Sequence, residues 1–133
     1  MHAPSVIAPQ GGRVAADGAS FSIHEWRGSG PAQLHVHHDD DEAWYVLEGT
    51  LTFRFADRTE EVGPGSTVFV PAGVVHAYQA SAQARYLIVL TPRLRALIAE
   101  LQANRDRSAH AEIYRRHRSA VIEPSDDRPS RTR

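Results

Sequence analysis

From Phe21 to Thr91 the chain runs as short stretches of β-branched and aromatic residues, cut every several positions by Gly or Pro. That rhythm predicts an all-β sandwich or barrel, with strands over 21–27, 32–38, 43–48, 51–56, 67–70, 74–79 and 84–90. The breaks carry turn chemistry: Glu48-Gly49 and Ala56-Asp57-Arg58 suit hairpins, and Gly63-Pro64-Gly65 suits a tight corner. After Leu90 the period changes. Leu94, Leu97, Ile98 and Leu101 fall at i, i+3, i+4 and i+7 behind Thr91, a candidate N-cap, and Pro92 at the first helical position. The helix so predicted lays its apolar face against the barrel or a second subunit. A weaker helix is expected over 108–117, carrying Ile113 and Tyr114.

These elements predict an N-terminal arm over 1–18, a barrel over 19–91, a helical extension over 92–123 and a disordered polar tail over 124–133. The arm has Val6, Ile7 and Val14 as its only aliphatic anchors larger than Ala, and room for an edge strand. A chain of 133 residues suits one domain with a real core. Charge divides along the same line. Residues 1–90 hold five Arg against ten acids, and residues 91–133 hold ten Arg against six.

Composition narrows the chemistry. Without cysteine, disulfides, thiolate catalysis, iron–sulfur clusters and Cys-ligated zinc are excluded, so a metal must use His, Asp or Glu. All fifteen basic residues are Arg, which removes lysine Schiff-base chemistry. No apolar run reaches the ~18 residues that span a bilayer, and the N-terminus lacks a charged-then-apolar leader; a soluble cytoplasmic protein with no membrane partner is expected.

Of eight histidines, His35 and His37 stand two apart on a predicted strand, so both side chains point to one face. Glu42 follows five residues later, and His76 lies just past the Pro71–Gly73 turn. Three nitrogens and one oxygen can thus meet inside a small barrel. Such a set suits Fe, Mn, Ni, Co, Cu or Zn.

Two spaced motifs here resemble those of the cupins. The first is Gly30, His35-Val36-His37, Glu42 and Gly49; its first gap is one residue short of the family pattern. The second is Gly65, Pro71-Ala72-Gly73 and His76, after which Ala80 replaces the asparagine common in the family. The resemblance covers roughly residues 20–90. It implies a cupin β-barrel, a double-stranded β-helix or jelly roll, with a C-terminal helical extension. It also implies one divalent metal ion per chain on His35, His37, Glu42 and His76, and a homodimer. The activity it implies is that of a metal-dependent enzyme on a small organic molecule, first of all a dioxygenase-like oxidoreductase. Two other readings stay open: a Lewis-acid isomerase, cyclase or lyase, and a non-catalytic module binding a small molecule or metal.

Other features weigh less. Tyr78 shares the inward parity of His76 and is the candidate catalytic residue, as a hydrogen-bond donor or proton shuttle. His38 should face outward; Asp39-Asp40-Asp41 reads as a solvated acidic loop; Phe53, Phe55, Phe69, Tyr78 and Tyr86 are placed in the core or at the barrel mouth. No nucleotide-binding loop or serine-nucleophile elbow occurs. The Arg115-Arg116-His117-Arg118 run reads as an exposed helix face or dimer contact, and no nucleic-acid partner is expected.

Overall fold

Alternation along one strand shows how the molecule is built: in β4 (Glu42–Glu48) Glu42, Trp44 and Val46 are buried while Tyr45 between them faces out, until an irregularity after Val46 turns Glu48 to the surface. A side chain on every second residue of a strand faces one side, so β4 needs a second sheet over its inner face. In this computed structural model, which describes residues 13–122, that partner sheet is present. The expectations for Val6, Ile7 and the 124–133 tail lie outside the described residues.

The strands are β1 (Ala15–Asp17), β2 (Ser22–Trp26), β3 (His35–His37), β4, β5 (Leu51–Phe55), β6 (Thr59–Val62), β7 (Thr67–Val70), β8 (His76–Ala80), β9 (Arg85–Leu90) and β10 (Ser119–Val121). They form two five-stranded antiparallel sheets, ordered β1-β2-β9-β4-β7 and β10-β3-β8-β5-β6. Between them lies an aromatic core in which Phe53 meets Trp44 edge-on at 4.9 Å and stacks on Tyr78 at 5.3 Å. Each of the seven predicted strands is present. The 32–38 strand contracts to β3, whose ladder with β10 covers His35–His37. β6 escaped the sequence because Thr59-Glu60-Glu61-Val62 is an exposed edge, where charge replaces alternation.

Two glycines of the motifs have visible reasons. Gly49 turns β4 into β5 at φ +73°, and a Cβ there would lie 2.6 Å from the Ala84 Cα. Gly30 lies against the Tyr78 ring, where a Cβ would come within 2.2 Å of Cε1.

Helix α1 (Pro92–Ala103) starts as its sequence specifies, with Thr91 Oγ1 accepting the Leu94 N–H at 3.2 Å and Pro92 at N1. Leu94 and Leu97 are buried on the protein's own barrel. A 3₁₀ turn (Arg107–Ala109) leads into α2 (His110–Arg116), which buries Ile113 and Tyr114. Arg118, at φ 56°, then swings the chain into β10, which pairs with β3 in the register Ser119↔His37. The region past residue 91 therefore supplies a strand to the barrel as well as helices.

Two local expectations change. Phe69 is 60% exposed on the outer face of β7 instead of lining the barrel. The acidic loop is a bracket: Asp39 pairs with Arg118 at 2.6 Å, Asp40 is buried beside Arg93, and Asp41 accepts the Ala72 N–H at 2.9 Å. The arginines of the 115–118 run are exposed, as expected, and their charges have partners on the surface: Arg115 pairs with Glu112, Arg116 with Glu100 and Arg118 with Asp39. That charge is answered within the chain.

Candidate metal centre

β3 and β8 are neighbours, and their register sets His35 opposite His76. His37, two residues along β3, joins them on the same face, so nitrogens of the three rings all lie within 4.8 Å of one another. All three residues are at most 5% exposed. Glu42 opens β4 in the facing sheet, and its Oε1 lies 3.2 Å from Nε2 of both His37 and His76. The carboxylate thus touches two of the three imidazoles, from the other side of the barrel.

The outer nitrogens determine the tautomers. His35 Nδ1–H donates to the Gln33 carbonyl at 2.9 Å, and His76 Nδ1–H to the Val74 carbonyl at 3.0 Å, since a carbonyl can only accept. His37 Nδ1 meets Ser119 Oγ at 2.8 Å, and that hydroxyl donates onward to the His117 carbonyl at 3.2 Å. Ser119 is therefore the acceptor, and His37 also carries its proton on Nδ1. In the neutral rings all three Nε2 lone pairs are free, and two of them face a carboxylate oxygen. Lone pairs against a carboxylate repel unless a proton or a cation lies between them. That donor set fits a divalent ion.

Burial, followed by the neighbouring His76 and His37, lowers the His35 pKa to about 3. Burial raises the Glu42 carboxyl, but His37 and His76, which hydrogen-bond to it whenever a proton instead of an ion lies between Nε2 and the carboxylate, outweigh that and bring the group down to about 2. Both groups are thereby kept in their metal-binding forms at neutral pH. The sign for stability follows. Between pH 6.5 and 3 the unfolded chain protonates His35 while the folded chain does not, and from 4.5 downward Glu42 adds to this. Stability is full above these unfolded values and drains as pH falls toward the folded ones. For the chelator-treated protein we expect a loss of about 2 kcal/mol from His35 between pH 7 and 5. Urea midpoints at the two values measure it, and an unchanged midpoint contradicts the burial of a neutral His35.

Above the histidines is a cavity of about 310 Å³. Ile98 and Leu101 on α1 roof it, together with the buried Leu94 and Leu97, so the predicted apolar stripe covers the site. Tyr78 lines the cavity as its parity implied, but its hydroxyl lies 3.1 Å from that of Tyr86, which donates in turn to the Gly28 carbonyl. The Tyr78 proton is therefore directed at Tyr86, and burial raises its pKa further. Tyr114, passed over in the sequence, lines the same cavity with its ring 5.6 Å from His35. Ser119 was passed over as well. Neither carries a motif; the apolar Ile113-Tyr114 pair marked α2 only as a packing helix. His38 is exposed, as expected.

The Cupin domain family matches residues 22–90, and the chain belongs to that family. An uncharacterized protein of Streptomyces coelicolor is 38% identical over 90 residues, which cover 60% of this chain and 86% of that one. Among solved structures, a cupin-2 domain containing protein from Shewanella frigidimarina is 30% identical, over 53% of this chain and 68% of that one, with a TM-score of 0.45. The polyketide cyclase RemF from Streptomyces resistomycificus is 33% identical over 53% and 52% of the two chains, with a TM-score of 0.43. Tyr114 and Ser119 lie beyond the matched residues. No helix among the described residues is long and apolar enough to cross a membrane.

Proposed function

We propose that this cupin is a metal-dependent enzyme acting on a small organic molecule in the cavity, with a dioxygenase-like reaction as its chemistry. His35, His37, Glu42 and His76 are the ligands of one divalent ion. The observation that carries this reading is the set of three Nδ1–H groups turned outward onto Gln33, Val74 and Ser119, which leaves three Nε2 lone pairs beside the Glu42 carboxylate. A redox-active ion held there supplies Lewis acidity to a substrate oxygen and a partner for dioxygen. The residues of the chain do the rest. Leu94, Leu97, Ile98 and Leu101 keep bulk water off the site, and the Trp44 indole, edge-on to His76 at 5.9 Å, backs the reacting end of the cavity.

A second reading has its own support in Tyr114. Its phenol lines the cavity with the ring 5.6 Å from that of His35, and burial, which raises its pKa, makes it a hydrogen-bond donor that keeps its proton. That suits a Lewis-acid isomerase, cyclase or lyase in which Tyr114 donates a hydrogen bond to a substrate oxygen.

The test is oxygen uptake by protein loaded in turn with Fe(II), Mn, Ni, Co, Cu and Zn, against a panel of phenolic and enolisable compounds. Uptake with a redox-active ion and none with zinc supports the first reading. Equal turnover with and without air, or full turnover with zinc, transfers the site to the second. Tight binding with no turnover on any ion makes the chain a binding module.

A further inference from the structure

We infer that the cavity takes a compact, predominantly aromatic or aliphatic molecule carrying a single negative charge at its metal-facing end, and rejects sugars, phosphates and dianions of similar size. The charged end rests on the metal-centre reading; the selection by the walls rests on the lining alone.

The chain has fifteen basic residues, all Arg, yet among the described residues none lines this cavity. Its only carboxylate among the described residues is Glu42. Three neutral imidazoles, that carboxylate and a divalent ion sum to one net positive charge, which one anionic oxygen balances. A second anionic group would be buried with no cation to meet it, and unpaired buried charge is strongly disfavoured.

Leu94, Leu97, Ile98 and Leu101 form the roof, and Trp26 and Trp44 contribute broad indole surfaces. Apart from the histidines and Glu42, the polar side chains of the lining are few and dispersed: Gln102, the phenols of Tyr78 and Tyr114, and Ser29, whose hydroxyl already accepts the Ala80 N–H at 2.8 Å. A polyhydroxy ligand would leave most of its hydroxyls against apolar wall. A volume of about 310 Å³ lies at the small end of ligand sites, room for a bicyclic molecule.

Trp26 and Trp44 are the only tryptophans in the chain, both line the cavity, and the buried Nε1–H of Trp26 has no hydrogen-bond partner among the described residues, while that of Trp44 has only the Tyr78 hydroxyl near it. Buried donors without partners are uncommon. An oxygen on the body of a ligand would complete them, whereas a bare hydrocarbon would not.

The same two residues make the test direct, because a ¹H–¹⁵N spectrum of the full chain carries only two indole signals. The zinc-loaded protein, diamagnetic and with its zinc measured by elemental analysis, is titrated with 3-hydroxy-2-naphthoate, with glycolate as the chelating head alone, and with glucose 6-phosphate. We expect the naphthoate to bind about a hundredfold more tightly than glycolate and to move both indole signals. Glucose 6-phosphate should give no saturable shift. Naphthoate binding no tighter than glycolate, or glucose 6-phosphate binding as tightly as the naphthoate, overturns the inference. If the protein takes up no zinc, the same titration still decides the question. Preference for naphthoate over glucose 6-phosphate then upholds the selection by the walls while the metal-centre reading falls, and no preference overturns both.

Discussion

His76→Ala is expected to reduce the metal content of the purified, untagged protein from near one ion per chain to a few per cent, with affinity down about a hundredfold or more. The effect is large because His76 holds the centre together: it lies opposite His35 in the β3–β8 register, with ring centroids 4.4 Å apart, and its Nε2 is one of the two that meet Glu42. Its loss breaks the three-imidazole set and leaves the carboxylate with His37 as its one histidine partner. The ring is 1% exposed, so a cavity also opens and some stability goes with it. Metal-dependent melting separates the two effects. Added ion should raise the melting temperature of the parent protein and leave that of the variant unmoved. A variant that keeps its metal would remove His76 from the ligand set.

Ser119→Ala is expected to weaken metal binding by about 10- to 100-fold while leaving every ligand in place. The Ser119 hydroxyl accepts His37 Nδ1–H at 2.8 Å, and its loss strands a buried donor at about 1–3 kcal/mol. The ring then no longer has its proton held on Nδ1. Chelator competition measures the affinity, and the ¹⁵N shifts of the His37 ring in the metal-free protein report the tautomer. A serine that merely filled space would change neither. Ser119→Thr, which restores the hydroxyl, should recover the Nδ1–H signature.

The two variants also mark how differently the parts of the centre could be read. His35 and His37 were legible because a strand repeats every two residues, so their spacing alone puts both on one face. Glu42 and His76 were legible through the motifs that carry the resemblance, and they meet because β3, β4 and β8 converge. The cap of α1 was legible because Thr91-Pro92 is local chemistry, satisfied within three residues by the Leu94 N–H. Ser119 acts on a residue 82 positions away, and no local pattern encodes that distance. The same holds for the Asp39–Arg118 pair, which links residues 79 apart beside the β3–β10 join.

By itself, then, the sequence determined the strand alternation, the turn glycines, the capped helix with its apolar stripe and the two-apart histidines, because each depends on neighbours within a few residues. Only the tertiary structure decided what that stripe covers, which tyrosine hydroxyl is engaged with another and what steadies His37. Leu97 and Tyr114 reach the cavity because α1 and α2 fold back over the barrel, and Ser119 reaches His37 because Arg118 adopts a left-handed backbone and feeds β10 into the edge of β3. Such a conformation is disfavoured at a residue with a Cβ. It persists where pairing across the sheet and the ion pair to Asp39 hold it, and those interactions exist only once the chain has closed on itself.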